Sequence, residues 1–119
     1  MTEAKKASWK KGLWAEYLCM WVLRLKGHRI LAHRYKTKVG EIDIVARKGN
    51  TLLFIEIKAR PTLETGLTCI TGKQRQRIQH AAEIFLSRNR KKDFNQIRFD
   101  VMVAVPWQFP YHLKDAWRI

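Results

Sequence analysis

Within the run from Leu52 to Lys58, a carboxylate and an ammonium interrupt an otherwise apolar stretch at Glu56 and Lys58, two residues apart. On an extended strand that spacing puts both side chains on one face. A third charge, Asp43, stands among Ile42, Ile44 and Val45, where a core residue is expected. Two carboxylates brought together repel each other. A hard divalent cation relieves that repulsion, and Mg²⁺ takes one or two carboxylates while keeping waters and phosphate oxygens as its other ligands. A lysine beside such a cation can orient an attacking water or offset charge on phosphorus oxygens. Those are the tasks of phosphodiester hydrolysis by a metal-activated water. The same three residues also fit a plainer reading, an exposed ion-pair stripe on an edge strand with Asp43 capping a turn.

Positioning the three charges requires a hairpin. Glu41 to Ala46 alternates like a strand, Lys48-Gly49-Asn50 is a turn signal, and Leu52 to Ile57 follows as an apolar strand that Pro61 closes. Folding back at Gly49 brings the Asp43 end of one strand to the Glu56 end of the other. Ahead of this hairpin, Leu13 to Lys26 reads as an amphipathic helix, with Trp14, Tyr17, Leu18, Trp21 and Leu25 at three- and four-residue spacing and a stop at Gly27. That spacing predicts Trp14 and Trp21 as core residues. Glu16 has Leu13, Cys19, Met20 and Leu23 as its helical neighbours, so it borders the buried face and can point at the sheet. A helix-surface charge is the alternative.

Arg29 to Tyr35 predicts a short strand before the hairpin. Residues 61–72 carry Pro, Thr and Gly and read as a loop, after which Thr71 and Gln74 form a capping-box pattern. The helix it opens bears Ile78, Ala81, Ala82, Phe85 and Leu86 on one side. Ile97 to Val105 predicts a further strand, and Tyr111 to Trp117 an edge strand. Helix, three strands, helix, strand implies a mixed sheet flanked by helices. The 119 residues fit one domain, with residues 1–11 expected to be a flexible basic lead.

Charge narrows the partner. Lys and Arg number 24 against 10 acidic residues, a formal +14 that repels itself unless a polyanion shares the surface. Nucleic acid is the leading partner, since its phosphates attract cations whatever the base sequence. The longest apolar run, Leu13 to Leu25, contains Glu16 and Arg24, so no membrane span and no secretory leader is read from it. A cytoplasmic protein is expected. Cys19 and Cys69 lack a metal-ligand spacing and are expected to be buried, reduced thiols.

Lys73, Arg75 and Arg77 open the second helix against its dipole, which makes them the better candidates for phosphate contacts. Arg88, Arg90, Lys91 and Lys92 close it, where they also suit the negative end of that dipole. Lys36 and Lys38 before Gly40, and Arg47 and Arg60 at strand ends, are expected beside the carboxylates as further phosphate contacts.

Gly12-x-x-Ala-Glu16, Gly40-Glu-Ile-Asp43, Phe54-Ile-Glu56-Ile-Lys58-Ala-Arg60, Lys73 and Arg98-Phe-Asp100 together resemble the YraN-like family of small bacterial proteins. That family lies within the PD-(D/E)XK nuclease-like superfamily, and the pattern is also similar to archaeal-type Holliday junction resolvases. The resemblance implies an α/β, single-domain, restriction-endonuclease-like mixed β-sheet flanked by α-helices. It implies Mg²⁺ or Mn²⁺ held by Asp43, Glu56 and the backbone carbonyl of Ile57, with Lys58 as the catalytic lysine and Glu16 as an auxiliary ligand. Gln74 or Lys73 would stand near the phosphate, Glu41 belongs to the motif without an evident chemical role, and Asp100 reads as structural. The expected activity is endonucleolytic cleavage of DNA, branched or damaged DNA included; resolvase-like relatives further suggest a homodimer. The alternative is a nucleic-acid-binding accessory protein that cuts nothing. Where the family often carries an Asn ahead of the Gly-Glu-x-Asp segment, this chain reads Ala32-His-Arg-Tyr35.

Overall fold

A computed structural model describes residues 3–89 and 94–118, with side chains from residue 12 onward. Arg90, Lys91 and Lys92 of the basic cluster fall outside it. Eight elements follow in order: α1 (Glu3–Leu25), β1 (Arg29–Lys36), β2 (Glu41–Lys48), β3 (Thr51–Ala59), α2 (Leu63–Thr68), α3 (Gly72–Arg88), β4 (Gln96–Ala104) and β5 (Tyr111–Trp117). They build a five-stranded sheet whose spatial order is the chain order. The β3–β4 pair is parallel, its crossover carrying α2 and α3, and the other pairs are antiparallel. This is the mixed sheet with flanking helices that the element order implies.

Each sheet face has its own core. Leu52 and Phe54 of β3 face α3 with Phe99, Val101 and Val103, against Ile78, Ala81, Ala82 and Phe85. Leu53, Ile55 and Ile57 face α1 with Ile44, Ala46 and Met102, against Ala15, Cys19, Met20, Val22 and Leu23. β3 is therefore buried on both sides, which accounts for its nearly unbroken apolar run. The α3 end is fixed as the sequence indicates: the Thr71 hydroxyl accepts the Gln74 N–H at 3.2 Å, and the Gln74 side chain accepts the Thr71 N–H at 3.1 Å.

Four expectations are corrected. Helix α1 begins at Glu3, not Leu13, so it takes in the Lys-rich stretch. Its inward stripe is the Ala15–Cys19–Met20–Leu23 set; Trp14 and Trp21 point outward, 53% and 63% exposed. Ala15, Cys19 and Val22, which face the sheet, are smaller than the Trp14 and Trp21 rings that point outward. The 61–72 segment contains α2, capped by the Thr62 hydroxyl accepting from the Thr65 N–H. Cys69 is half-buried, not buried, its thiol donating to the Gly66 carbonyl at 3.2 Å.

Candidate metal centre and cationic groove

Strand β2 pairs with β3 from Lys48–Thr51 to Ile44–Ile55. Beyond that last pair, the Ile57 N–H donates to Asp43 Oδ2 at 2.8 Å, so a side chain takes the place of a ladder acceptor. Asp43 thus reaches across to β3, and its carboxyl meets that of Glu56 closely enough for the two to share a proton. Lys58 Nζ lies 3.3 Å from Glu56 Oε1, and Lys58 is itself buried. The three charges read from the sequence do converge.

Their electrostatics are those of a site short of positive charge. Burial, then the neighbouring Glu56, pushes the Asp43 carboxyl up to about 8, against the Ile57 N–H pulling down. Burial likewise raises Glu56, although Lys58 and the contact with Asp43 oppose it. Carboxyls in this condition hold a proton in common or accept a cation in its place. Two converging carboxylates match the donor set that a hard divalent ion prefers. Among the described residues, no group of three or more His, Cys, Asp or Glu side chains converges as a ready-made metal cage.

Glu16 reaches the same place from α1 and is nearly buried. It lines a cavity of about 250 Å³ with Gly12, Leu13, Arg34, Asp43, Glu56 and Ile57. Its carboxylate is engaged by Arg34, whose Nη2 donates to Oε2 at 2.7 Å and whose Nε donates to Oε2 and Oε1 at 3.1 and 3.3 Å. His33 Nε2 lies 3.7 Å from Glu16 Oε1. The sequence reading missed Arg34 as a site residue; the one signal for it was the departure from the family pattern at this point. Burial, with Asp43 and Glu16 nearby, pushes the Cys19 thiol up to about 12, so it stays protonated at neutral pH.

On the α3 side, Glu56 also lines a groove of about 620 Å³ with Lys36, Lys38, Glu41, Gln74 and Arg77. The β1–β2 turn that carries the two lysines is built by Thr37, whose hydroxyl accepts the Val39 and Gly40 N–H groups and donates to the Gly40 carbonyl. Gly40 has no side chain because one would run into the Arg77 backbone, whose carbonyl carbon would lie 2.9 Å from a Cβ. The turn is thereby locked against α3, and Lys36, Lys38 and Arg77 line the same groove.

The remaining predicted contacts scatter. Arg60, whose guanidinium donates to the Ala59 carbonyl, and Lys73, exposed on the first turn of α3, line neither the groove nor the carboxylate cavity. Arg75 lies over the Trp117 ring at 5.6 Å. Arg47 sits at the hairpin end, clasping the Gly49 carbonyl at 3.0 and 3.1 Å and stacking on Phe94, so it lies along β2 away from the carboxylates.

A family model described as "Uncharacterised protein family UPF0102" matches residues 15–104, a span that contains Glu16, Asp43, Glu56 and Lys58. The UPF0102 protein of Bartonella bacilliformis is 40% identical over 110 residues, covering 92% of this chain and 90% of the relative. That of Maricaulis maris is 43% identical over 117 residues, covering 98% and 92%. That of Paramagnetospirillum magneticum is 42% identical over 122 residues, covering 99% and 95%. These matches run nearly end to end in both chains.

Proposed function

This chain belongs to the UPF0102 family, a grouping defined without an activity, and on that premise we propose that it is a divalent-metal-dependent endonuclease hydrolysing phosphodiester bonds in DNA. The observation that carries the proposal is the meeting of the Asp43 and Glu56 carboxyls beside buried Lys58. Three ionisable groups at the margin of a core are costly to bury, and a polar ligand is what makes such an arrangement economical.

Asp43 and Glu56 would hold Mg²⁺ or Mn²⁺, with the Ile57 carbonyl as a further donor. When bound, the cation would supply an activated water at neutral pH and Lewis-acid stabilisation of the phosphoryl oxygens. Lys58, held 3.3 Å from Glu56, fixes that carboxylate and offers an ammonium to charge developing on the phosphate. Lys36, Lys38 and Arg77 would grip the DNA backbone along the groove, with Gln74 beside them. Because Glu56 borders both the groove and the smaller cavity, a backbone lying in the groove passes the carboxylate pair.

One observation favours the alternative, a nucleic-acid-binding accessory protein without cleavage: Glu16, expected as an auxiliary ligand, is engaged by Arg34. A panel of branched, single-stranded and duplex DNA incubated with Mg²⁺ or Mn²⁺ decides between them. The endonuclease reading expects metal-dependent nicking of at least one substrate that Lys58→Ala abolishes. Salt-sensitive binding with no metal-dependent product on any substrate would establish the accessory reading instead.

A further inference from the structure

Arg34 adopts a backbone conformation that residues with a side chain rarely take, φ 54°. Gly tolerates it freely and Asn more readily than most, whereas Arg has no local hydrogen bond to recommend it there. In the β1–β2 ladder, His33 pairs with Ile44 and Tyr35 with Ile42, so Arg34 stands across from Asp43. The twist turns its side chain toward α1, where the guanidinium forks onto Glu16 at 2.7 and 3.1 Å. An outlier of this kind, held by its surroundings at the margin of a site, points to a role for the side chain it carries.

Three carboxylates border the cavity on this side: Glu16, Asp43 and Glu56. Two protein cations are already committed among them, Arg34 to Glu16 and Lys58 to Glu56. The remaining anionic demand is that of Asp43, which receives one backbone N–H. Resting on the reading of Asp43 and Glu56 as a cation centre, we propose that Arg34 is a positioning residue that keeps Glu16 out of the metal shell, so that the centre takes a single divalent cation. The guanidinium fills, with a fixed and planar donor set, the place where a second cation would otherwise be drawn to Glu16. Lys at this position would supply charge without the fork.

Calorimetric titration with Mn²⁺ alone, with no DNA present, tests this independently of turnover. The wild-type chain is expected to bind one Mn²⁺. Arg34→Asn suits the local backbone, so it is expected to fold; it frees Glu16 and should bind a second Mn²⁺ or bind the first at least about tenfold more tightly. The charge-neutral double variant Glu16→Gln/Arg34→Asn should return to one Mn²⁺ at near wild-type affinity. Two ions on the wild type, or a double variant that loses affinity by about tenfold or more, would make Glu16 a ligand and overturn the inference while leaving the metal centre standing. An Arg34→Asn variant indistinguishable from wild type would also overturn it. Wild-type protein that binds no Mn²⁺, or binding untouched by Asp43→Asn, would remove the centre itself and the inference with it. Should Arg34→Asn fail to fold, the double variant and Arg34→Lys carry the same comparison, the latter expected to resemble Arg34→Asn in part.

Discussion

Asp100 and the Asp43–Glu56 pair occupy neighbouring parts of one sheet, and the protein treats them in opposite ways. Asp100 is wholly buried yet surrounded by donors: Arg98 Nε and Nη2 at 2.8 Å each, His112 Nε2 at 2.6 Å and the Asp115 N–H at 2.9 Å. Asp115 takes φ 56° to aim that N–H, a conformation an aspartate tolerates. Burial works against ionisation there, and the hydrogen bonds from His112, Arg98 and Asp115 outweigh it, holding the carboxyl below its usual range. Asp43 has one backbone N–H and a second acid for company, and its carboxyl is pushed up to about 8. Asp100 is fully buried and Asp43 partly so, yet the deeper acid is satisfied and the shallower one is left wanting positive charge. Saturation marks a structural acid; the shortfall at Asp43 is what the proposed cation would make good.

The comparison breaks first at Lys58 and Asp43. Lys58→Ala or Asp43→Asn is expected to lower the nicking rate by at least about 10²-fold, the scale for losing a group that stabilises developing charge. DNA affinity in filter binding should stay within about threefold, because the proposed phosphate contacts are made by other residues. Cleavage that survives both changes would place the chemistry elsewhere.

Asp100→Ala should act on stability instead. Removing one partner of a buried charge network costs about 3–5 kcal/mol, measured by denaturant unfolding, since Arg98 and His112 are left without their acceptor. Mn²⁺ affinity of whatever protein remains folded should not change. A mild variant, below about 1 kcal/mol, would mean that the network is not the structural centre described here.

The two acids also predict opposite pH dependences. Asp43 is raised in the folded protein from 3.8 to about 8, so the native state holds more protons than the unfolded chain across that interval. Stability of the metal-free protein should therefore fall as pH rises from about 4 toward 8, and Asp43→Asn should flatten that slope. Asp100 is lowered, so its contribution is present above the unfolded value of 3.8 and lost as pH falls below it. Saturating Mg²⁺ should reduce the first dependence and leave the second alone.

Smaller effects test the groove. Gly40→Ala forces the β1–β2 turn off α3, with an expected loss of about 1–3 kcal/mol of stability and weaker DNA binding. Lys36→Ala, Lys38→Ala and Arg77→Ala should each reduce the slope of log affinity against log salt by about one. Arg47→Ala, spent on the hairpin turn, should leave that slope unchanged.

Much of this was legible before any coordinates. The Lys48-Gly49-Asn50 turn fixes the register of β2 and β3, and that register carries Asp43 to Glu56. The Thr71–Gln74 capping box sets the start of α3. Helix α1 was misread because it is apolar over more than one stripe: Trp14–Leu18–Trp21 and Ala15–Cys19–Val22 have the same spacing, displaced by one residue. Periodicity cannot choose between them, whereas closeness of packing selects the smaller residues. Helix α2 has six residues, too few for a periodic signal. Arg34 was invisible for another reason, since nothing in the residue type arginine announces a left-handed backbone.

The most direct test is an anomalous difference map from crystals of the protein soaked in Mn²⁺. The account predicts a peak within ligand distance of both the Asp43 and Glu56 carboxylates. No peak between them at saturating Mn²⁺, with both side chains ordered, would contradict it.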